Sequence, residues 1–249
     1  MRADPPRLRP ALVLAAGLYA FSHLPAASAA PEPFRLSYRL TSDGTEIGEL
    51  VQTLRSTGPQ RWRFESRVNP AGFLTALVTG RIEEVTELEQ AGAGLRPLSY
   101  RFRRRGLGRD RDVRVRFDWP RQQVHNEVNG SRWSMAVPDD TLDKHALVLA
   151  VTADLRADRL AAAYPVADGG KLKTYQHRRA GSERLTTDLG QFDTVKVRRI
   201  HPGRQRDTLF WHAPALDHIP VRIERLDGDG RRLRLNLVRY ERDPDAATP

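Results

Sequence analysis

From Pro33 to Leu237 the chain repeats one pattern, an apolar residue at every second position, in short runs closed by Gly, Pro or Asn. An extended strand turns successive side chains to opposite faces, so a period of two commits the chain to strands with one apolar and one polar face. The pattern is densest over residues 207–226. There Leu209 and Trp211 alternate with Thr208, Phe210 and His212, and Val221 and Ile223 alternate with Arg222 and Glu224, across a corner set by Pro214 and Pro220. Trp211 reads as the core anchor of that corner, with His212 and His218 at its solvent-facing rim.

The same reading orders the rest of the chain. Phe34, Leu36, Tyr38 and Leu40, then Gly48, Leu50, Gln52 and Leu54, then Trp62, Phe64, Ser66 and Val68 form three rows. Asp43-Gly44 and Ser56-Thr57-Gly58-Pro59 turn the chain between them, so residues 33–68 read as a three-strand meander. Residues 69–80 are apolar without a clean period and read equally as a short helix or a bulged strand. An acidic strand follows, with Glu83, Glu87 and Glu89 on one face and Ile82 and Leu88 on the other. Next come Leu98, Tyr100 and Phe102 backed by Arg101, Arg103 and Arg105, and a returning row Val113, Val115, Phe117 and Trp119 backed by Arg114 and Arg116. Two arginine rows then oppose each other across a hairpin, which costs some tenths of a kcal/mol per facing pair. The neighbouring glutamate row is the counter-charge the sequence offers. Arg101, Arg103, Arg114 and Arg116 therefore read either as a salt-laced solvated face or as an anion-binding surface.

Two short strands over residues 121–136 turn at Asn129-Gly130, after which the period changes. Asp139-Asp140-Thr141 offers N-cap side chains, and Leu142, Ala146, Leu149, Ala153 and Leu160 fall on one helical face, predicting a helix over about residues 141–162. Residues 146–151 are apolar all the way round, which marks a helix covered on more than one side. A flat sheet cannot enclose a helix. The fold expected is mainly β, a strongly curved antiparallel sheet or open barrel packed on one long helix. Beyond Gly169-Gly170 strands resume at Leu172 and Thr174, at residues 182–189, at Val195 and Val197, and in the last row Leu233, Leu235 and Leu237.

Residues 1–29 have the three parts of a secretory signal: Arg2, Arg7 and Arg9, an apolar run from Ala11 to Pro25, and Ala27-Ser28-Ala29 as a small-x-small cleavage site. Cleavage after Ala29 and a periplasmic address are the expectation. The divisions expected are a signal peptide (1–29), one β-rich domain (30–242) and a disordered tail (243–249). Removing the signal takes away three arginines and Asp4, so the formal charge falls from +10 to +8. Export makes nucleic acid an improper partner for that charge. The chain has no cysteine, which excludes disulfides, thiolate metal sites and a lipidated cysteine.

Catalytic signatures do not emerge. The seven histidines match no zinc-ligand spacing, and Gly-x-Ser-x-Gly, phosphate-loop and dinucleotide fingerprints are missing. No catalytic residue, metal or cofactor is nominated, although a hydrolase with an unrecognised site stays open as a third reading. An outer-membrane barrel would show strands with one lipid-facing apolar side, whereas here the second face of strand after strand carries arginine and the chain ends Asp-Ala-Ala-Thr-Pro. The expectation is a protein that is not integral to the membrane after cleavage. Trp62, Phe64, Phe117, Trp119 and Trp211 read as core, and as the wall of a ligand site if sheet and helix leave a gap.

Phe117-Asp118-Trp119, the segment Leu185-Thr186-Thr187-Asp188-Leu189-Gly190-Gln191-Phe192-Asp193-Thr194-Val195-Lys196-Val197, and Leu209 through Val221 with Ala213-Pro214 and Ile219-Pro220 resemble the bacterial exported family known as domain of unknown function 3108. The resemblance covers roughly residues 33–240. Its members usually carry an aspartate followed shortly by a serine at the start of the central helix; here Asp143 is followed by Lys144-His145-Ala146. The resemblance implies a periplasmic β-rich protein without assigned activity, similar in shape to periplasmic lipoprotein carriers, in which a curved sheet holds a lipid chain against helices. Two functions are expected from these readings. One is a non-enzymatic binding or envelope-maintenance protein that takes a lipid-like apolar or amphipathic ligand between sheet and helix. The other is a module that binds an acidic envelope polymer or a protein partner through its arginine face.

Overall fold

Turn chemistry cuts the alternating runs into strands where the sequence places Gly and Asn. At Asp43-Gly44 (φ 49° and 87°) and Asn129-Gly130 (φ 49° and 90°) both central residues are left-handed, the twist that lets a two-residue loop join antiparallel strands. The computed structural model describes residues 31–71, 81–92, 94–106, 110–201, 203 and 205–243. Fourteen strands are described: β1 (Phe34–Ser42), β2 (Thr45–Gly58), β3 (Arg61–Pro70), β4 (Arg81–Ala91), β5 (Gly94–Arg105), β6 (Arg111–Asp118), β7 (Gln123–Val128), β8 (Ser131–Ala136), β9 (Ala163–Asp168), β10 (Lys171–Thr187), β11 (Gly190–Ile200), β12 (Arg206–Ala213), β13 (Ile219–Asp227) and β14 (Arg232–Arg242). Among the described residues one α-helix, α1 (Lys144–Arg156), stands between β8 and β9. The expected signal, the segment over 72–80 and the end of the tail lie outside the described residues.

All fourteen strands join in one antiparallel sheet in the order β8-β7-β6-β5-β4-β3-β2-β1-β14-β13-β12-β11-β10-β9. Each half is a meander, β1 to β8 and β9 to β14. The halves are zipped together by β1 on β14, where Tyr38 faces Leu237 and Leu40 faces Leu235. Only β8 and β9 are left as edges, and they do not pair, so the sheet is not closed. The chain between them spans the opening instead. Leu142 makes a parallel bridge to Val166, its N–H donating to the Pro165 carbonyl (2.8 Å) and its carbonyl accepting from Ala167 (2.8 Å). From β8, the Trp133 indole donates to the Gly170 carbonyl at 3.2 Å. Gly170 sits at φ 81°, and a Cβ there would lie 2.1 Å from the Trp133 ring, so glycine is required on both counts.

The helix is shorter than the expected 141–162. Its first turn is refused to Thr141 and Leu142 because Leu142 is spent on the ladder to β9. Asp143, extended at φ −100°, is the cap, and its Oδ1 accepts from His145 N–H (2.8 Å) and Ala146 N–H (2.9 Å). At the other end Ala157 N–H closes on Ala153 and Asp158 turns left-handed at φ 50°, so Leu160 belongs to the lead into β9. Ala146, Leu147, Val151 and Leu155 of α1 share a core with Leu54, Trp62, Phe64 and Leu88 of the sheet. Removing an apolar side chain of this kind from water is worth about 1.5–3 kcal/mol. A second core gathers Leu36, Tyr38, Trp211, Val221 and Leu237 with Leu185, and a third gathers Tyr100, Val113, Val115, Phe117 and Val124.

Two expected strands over 172–189 are one long strand, β10, which carries an irregularity in its pairing between Arg179 and Ser182. Its partner β11 pairs with β12 only through Val195–Arg199. The rest of the hairpin reaches past β12, adds Leu185 and Phe192 to the second core, and is pinned at its turn by Asp188 on Arg39 (2.7 Å).

Candidate functional site: the space beside the helix

The apolar girth of α1 exceeds what the core covers. Leu147, Val151 and Leu155 are buried, whereas Val148, Leu149 and Ala150 are only half-buried and face a cleft of about 480 Å³. Its opposite wall is the apolar row of β1 with its neighbours, Phe34, Leu36, Tyr38, Phe64 and Leu95. Charge is confined to the helix end and the segments beside it, where Glu32, Asp154, Arg156 and Arg159 stand. Tyr164 donates to Asp154 (2.7 Å), and its burial, then this carboxylate, push the phenol well up.

A smaller cavity, about 130 Å³, lies along the same helix and shares Gln52, Val148 and Pro220 with the cleft. Its remaining lining mixes apolar side chains, Leu147, Val151, Phe210 and Ile223, with polar ones, Lys144, Tyr175, His177, Arg199 and His212. Here the alternation of β12 places Phe210 and His212 on one face and Trp211 on the other. His212 is therefore buried, 2 % exposed, and not at a rim as expected. Its Nδ1 donates to the His218 carbonyl at 2.7 Å, and burial pushes its pKa down to about 4. Burial and the adjacent Arg199 do the same to His177, also to about 4, against the pull of the Tyr175 carbonyl. The Arg199 guanidinium lies 3.6 Å over the Tyr175 ring, and burial draws its pKa below the usual arginine value. Burial pushes the Tyr175 phenol up to about 12; its hydroxyl donates to Asp168 at 2.8 Å.

Around the start of α1 a third group of polar side chains points inward. His145 bonds Ser66 through Nε2 (2.9 Å) and Thr86 through Nδ1 (3.2 Å), and burial lowers its pKa to about 4. Lys144 pairs with Glu84 (2.9 Å), which also accepts from Tyr100 at 2.5 Å. Burial pulls Glu84 up, but Lys144, His145 and Tyr100 outweigh it and hold the carboxyl below its usual range. Asp143 has no such cation. Burial raises it to about 7 although two backbone N–H groups favour its charged form. Asp143 Oδ2 is left buried without a hydrogen bond, but His145, Lys144, Glu84 and Tyr100 are engaged with one another or with Ser66 and Thr86, so the group fastens the helix to β3, β4 and β5.

Of the aromatic candidates, Phe64 alone lines the cleft. Trp62 is core beneath the helix. Phe117 and Trp119 stack at 5.1 Å in the third core, with the Trp119 indole donating to the Pro97 carbonyl. Trp211 is buried on the far face of β12, boxed by Lys196 and Arg222 and donating to Glu183 at 2.9 Å. Of the arginine candidates only Arg101 and Arg114 are directly opposed; Arg103 faces Asp112 and Arg116 faces Ser99. Their counter-charge is not the glutamate row. Asp112 lies 3.5 Å from each of Arg101, Arg103 and Arg114, and Glu127 also reaches Arg114, while Glu87 turns to Arg63 and Glu89 to Arg61 and Arg96. A different arginine surface was missed. Arg35, Arg55, Arg63, Arg67 and Arg239 line a groove on the outer face of β14, β1, β2 and β3 with only Glu65 and Glu241 among them. The signal is in the sequence as the polar partners of the apolar rows, but only the register of β1 on β14, with Arg35 opposite Glu241 and Ser37 opposite Arg239, brings Arg35 and Arg239 onto one face as diagonal neighbours.

Among the described residues no three of His, Asp and Glu converge as a metal group, and no helix is long and apolar enough to cross a membrane. Comparison with known proteins then places the chain. It belongs to the family described as protein of unknown function DUF3108, whose profile matches residues 34–237. No curated protein matches it. Among solved structures it is similar to a β-barrel-like protein of domain of unknown function DUF1849 from Brucella abortus, at 12 % identity and a TM-score of 0.54, over 85 % of this chain and 98 % of that one. A protein described as exported, with a YmcC-like fold, from Bacteroides fragilis matches at 12 % identity over 85 % and 96 % of the chains, with a TM-score of 0.32. The likeness to the first supports a barrel-like fold and nothing finer.

Proposed function

We propose that the protein is exported to the periplasm and holds an apolar or amphipathic, lipid-like ligand between its sheet and α1, without catalysing a reaction. The observation that carries this reading is the cleft of about 480 Å³ between the half-buried Val148-Leu149-Ala150 face and the Phe34, Leu36 and Phe64 wall. Core-type side chains left facing a gap lose contacts they would otherwise make, and an acyl chain restores them. The charged residues at one end of the cleft suit a ligand with one wet end. Residues 1–29 are the secretion signal in this reading, and residues 30–242 form a single domain. N-terminal sequencing of the protein from a periplasmic extract tests the address, with Ala30 expected first. Native mass spectrometry of that protein tests the ligand. A bound lipid, lost when Ala150→Trp fills the cleft, is expected; a ligand-free protein whose mass does not shift with added fatty acid or phospholipid would refute the reading.

A second reading has its own observation. The outer groove carries five arginines against two glutamates, a net positive track suited to an acidic envelope polymer. Exposed ion pairs such as Arg35 with Glu241 at 3.9 Å hold these charges only weakly. Binding of alginate that persists at about 150 mM salt and is abolished by Arg35→Glu with Arg67→Glu would support it. Binding unchanged by that pair of reversals would remove it.

A further inference from the structure

The smaller cavity is built unlike the cleft it adjoins. Three polar atoms of its wall are left without partners: His212 Nε2, His177 Nδ1 and Arg199 Nε are each buried and without a hydrogen bond of good geometry. Buried polar groups are almost always satisfied, and a cluster of exceptions around one space marks where another molecule's polar atoms go. His212 is the more informative. A carbonyl can only accept, so the bond from Nδ1 to His218 fixes the ring proton on Nδ1 and leaves Nε2 as a lone-pair acceptor. Arg199 can only donate, and it makes no salt bridge among the described residues.

We infer that this cavity is the head-group end of the ligand site, and that it takes a carboxyl group whose acyl chain runs into the cleft past Gln52, Val148 and Pro220. This deepens the acyl-chain reading above and rests on it. A carboxyl group meets both demands at once, offering one oxygen to the Arg199 guanidinium and, through a proton, the other to His212 Nε2. The charged and titratable groups around the space are Lys144 from α1, Tyr175 and His177 from β10, Arg199 from β11 and His212 from β12; β2 and β13 contribute only Gln52, Pro220 and Ile223. Among the described residues no carboxylate lines it, although Asp168, bound to Lys173 and Tyr175, also acts on Arg199, and His218 is the titratable group beside His212. Lys144 is neutralised by Glu84, whereas Arg199 has the Tyr175 ring but no ion pair among the described residues, so Arg199 is the cation left to a ligand.

The proton has a source and a destination. At neutral pH a free fatty acid is ionised and His212 is neutral, so one proton is taken from the buffer into the hydrogen bond between carboxyl oxygen and Nε2 as the complex forms. No other bond is made or broken. Titration calorimetry of the purified, delipidated chain with laurate, dodecanol and dodecyl phosphate, in two buffers of different ionisation enthalpy, tests the inference. Laurate is expected to bind at least tenfold more tightly than dodecanol, to take up about one proton, and to lose about tenfold in affinity per pH unit above 7. Arg199→Met is expected to bring laurate to the level of dodecanol while leaving dodecanol unchanged, which also shows that the variant is folded. Equal binding of laurate and dodecanol, or a preference that survives Arg199→Met, would overturn the head-group inference and leave the acyl-chain reading standing. Tighter binding of dodecyl phosphate than of laurate would overturn the choice of carboxyl. Binding of none of the three would overturn the acyl-chain reading and this inference with it.

Discussion

Asp143→Asn is the substitution that most directly tests how α1 is held inside the sheet. Asp143 is fully buried, and burial raises its carboxyl from 3.8 to about 7, a shift of about three pH units or about 4 kcal/mol. The folded state holds this proton where the unfolded state has released it, so the carboxyl lowers stability progressively as pH rises from about 4 to 7 and leaves it unaffected below 4. His145, His177 and His212 act in the opposite sense. Their pKa values fall from 6.5 to about 4, so their stabilising share is complete above 6.5 and is lost as pH falls toward 4. Between these limits the unfolded state binds three protons more at the histidines and one fewer at Asp143, a net of two. With partial titration at both ends of the window, these four groups therefore make the wild type gain about 2 kcal/mol per pH unit between roughly pH 4.5 and 6. Asparagine keeps the oxygen that caps His145 and Ala146 and removes the opposing proton, so we predict a slope steeper by about 1.4 kcal/mol per pH unit. Urea unfolding of both proteins at half-unit steps from pH 4.5 to 8 measures it. The difference between variant and wild type should grow in the variant's favour up to pH 7 and then level off. A difference that stays flat across the range would refute the argument that burial holds a proton on the helix cap.

Other contacts give simpler expectations. Gly170→Ala puts a methyl 2.1 Å from the Trp133 ring at a left-handed φ, and should cost about 1–3 kcal/mol in unfolding free energy; Trp133→Ala in the same chain should recover the steric part and leave only the backbone strain. Tyr38→Phe removes the buried hydroxyl that donates to the Pro220 carbonyl at 2.9 Å and should lower stability by about 1–2 kcal/mol in urea, with no change in the far-ultraviolet dichroism. Leu88→Ala, at a fully buried position of the core shared with α1, should cost about 2–5 kcal/mol, whereas Leu172→Ala on an exposed stretch of β10 should stay within about 0.5 kcal/mol.

The strands were legible because alternation and turn dipeptides are local. The corner of residues 207–226 appears as read: β12 ends at Ala213, a single 3-10 turn spans Pro214–Leu216, Asp217 and His218 are left-handed, and β13 begins at Ile219. The helix ends were not legible, since Thr141 and Leu142 have acceptable helical neighbours and are drawn off only by a strand more than twenty positions later. Trp211 is core, as read, but on a face that becomes core only when the far part of the β10–β11 hairpin joins it. In each case the missing information is which strand lies next to which, and period-two patterning carries none of it.

The polar lining of the interior escaped for a related reason. Alternation was read by giving the apolar row to the inside and the charged row to the outside. In β4 that row is Ile82, Glu84, Thr86 and Leu88, with two polar members, and in β10 it includes Tyr175 and His177. A strand can afford such members only where something inside answers them. Glu84 is answered by Lys144 and Tyr100, and Thr86 by His145, so these polar positions of β4 are satisfied and fix the seating of α1. At Arg199, His177 and His212 the same kind of intrusion leaves one atom each, Nε, Nδ1 and Nε2, without a hydrogen bond from the protein. Two polar intrusions into one barrel-like interior thus differ in how their charge is met. Around the helix start Lys144 and Glu84 neutralise each other, whereas Arg199 has no ion pair among the described residues, and there the barrel has chemistry to spare for something that is not itself.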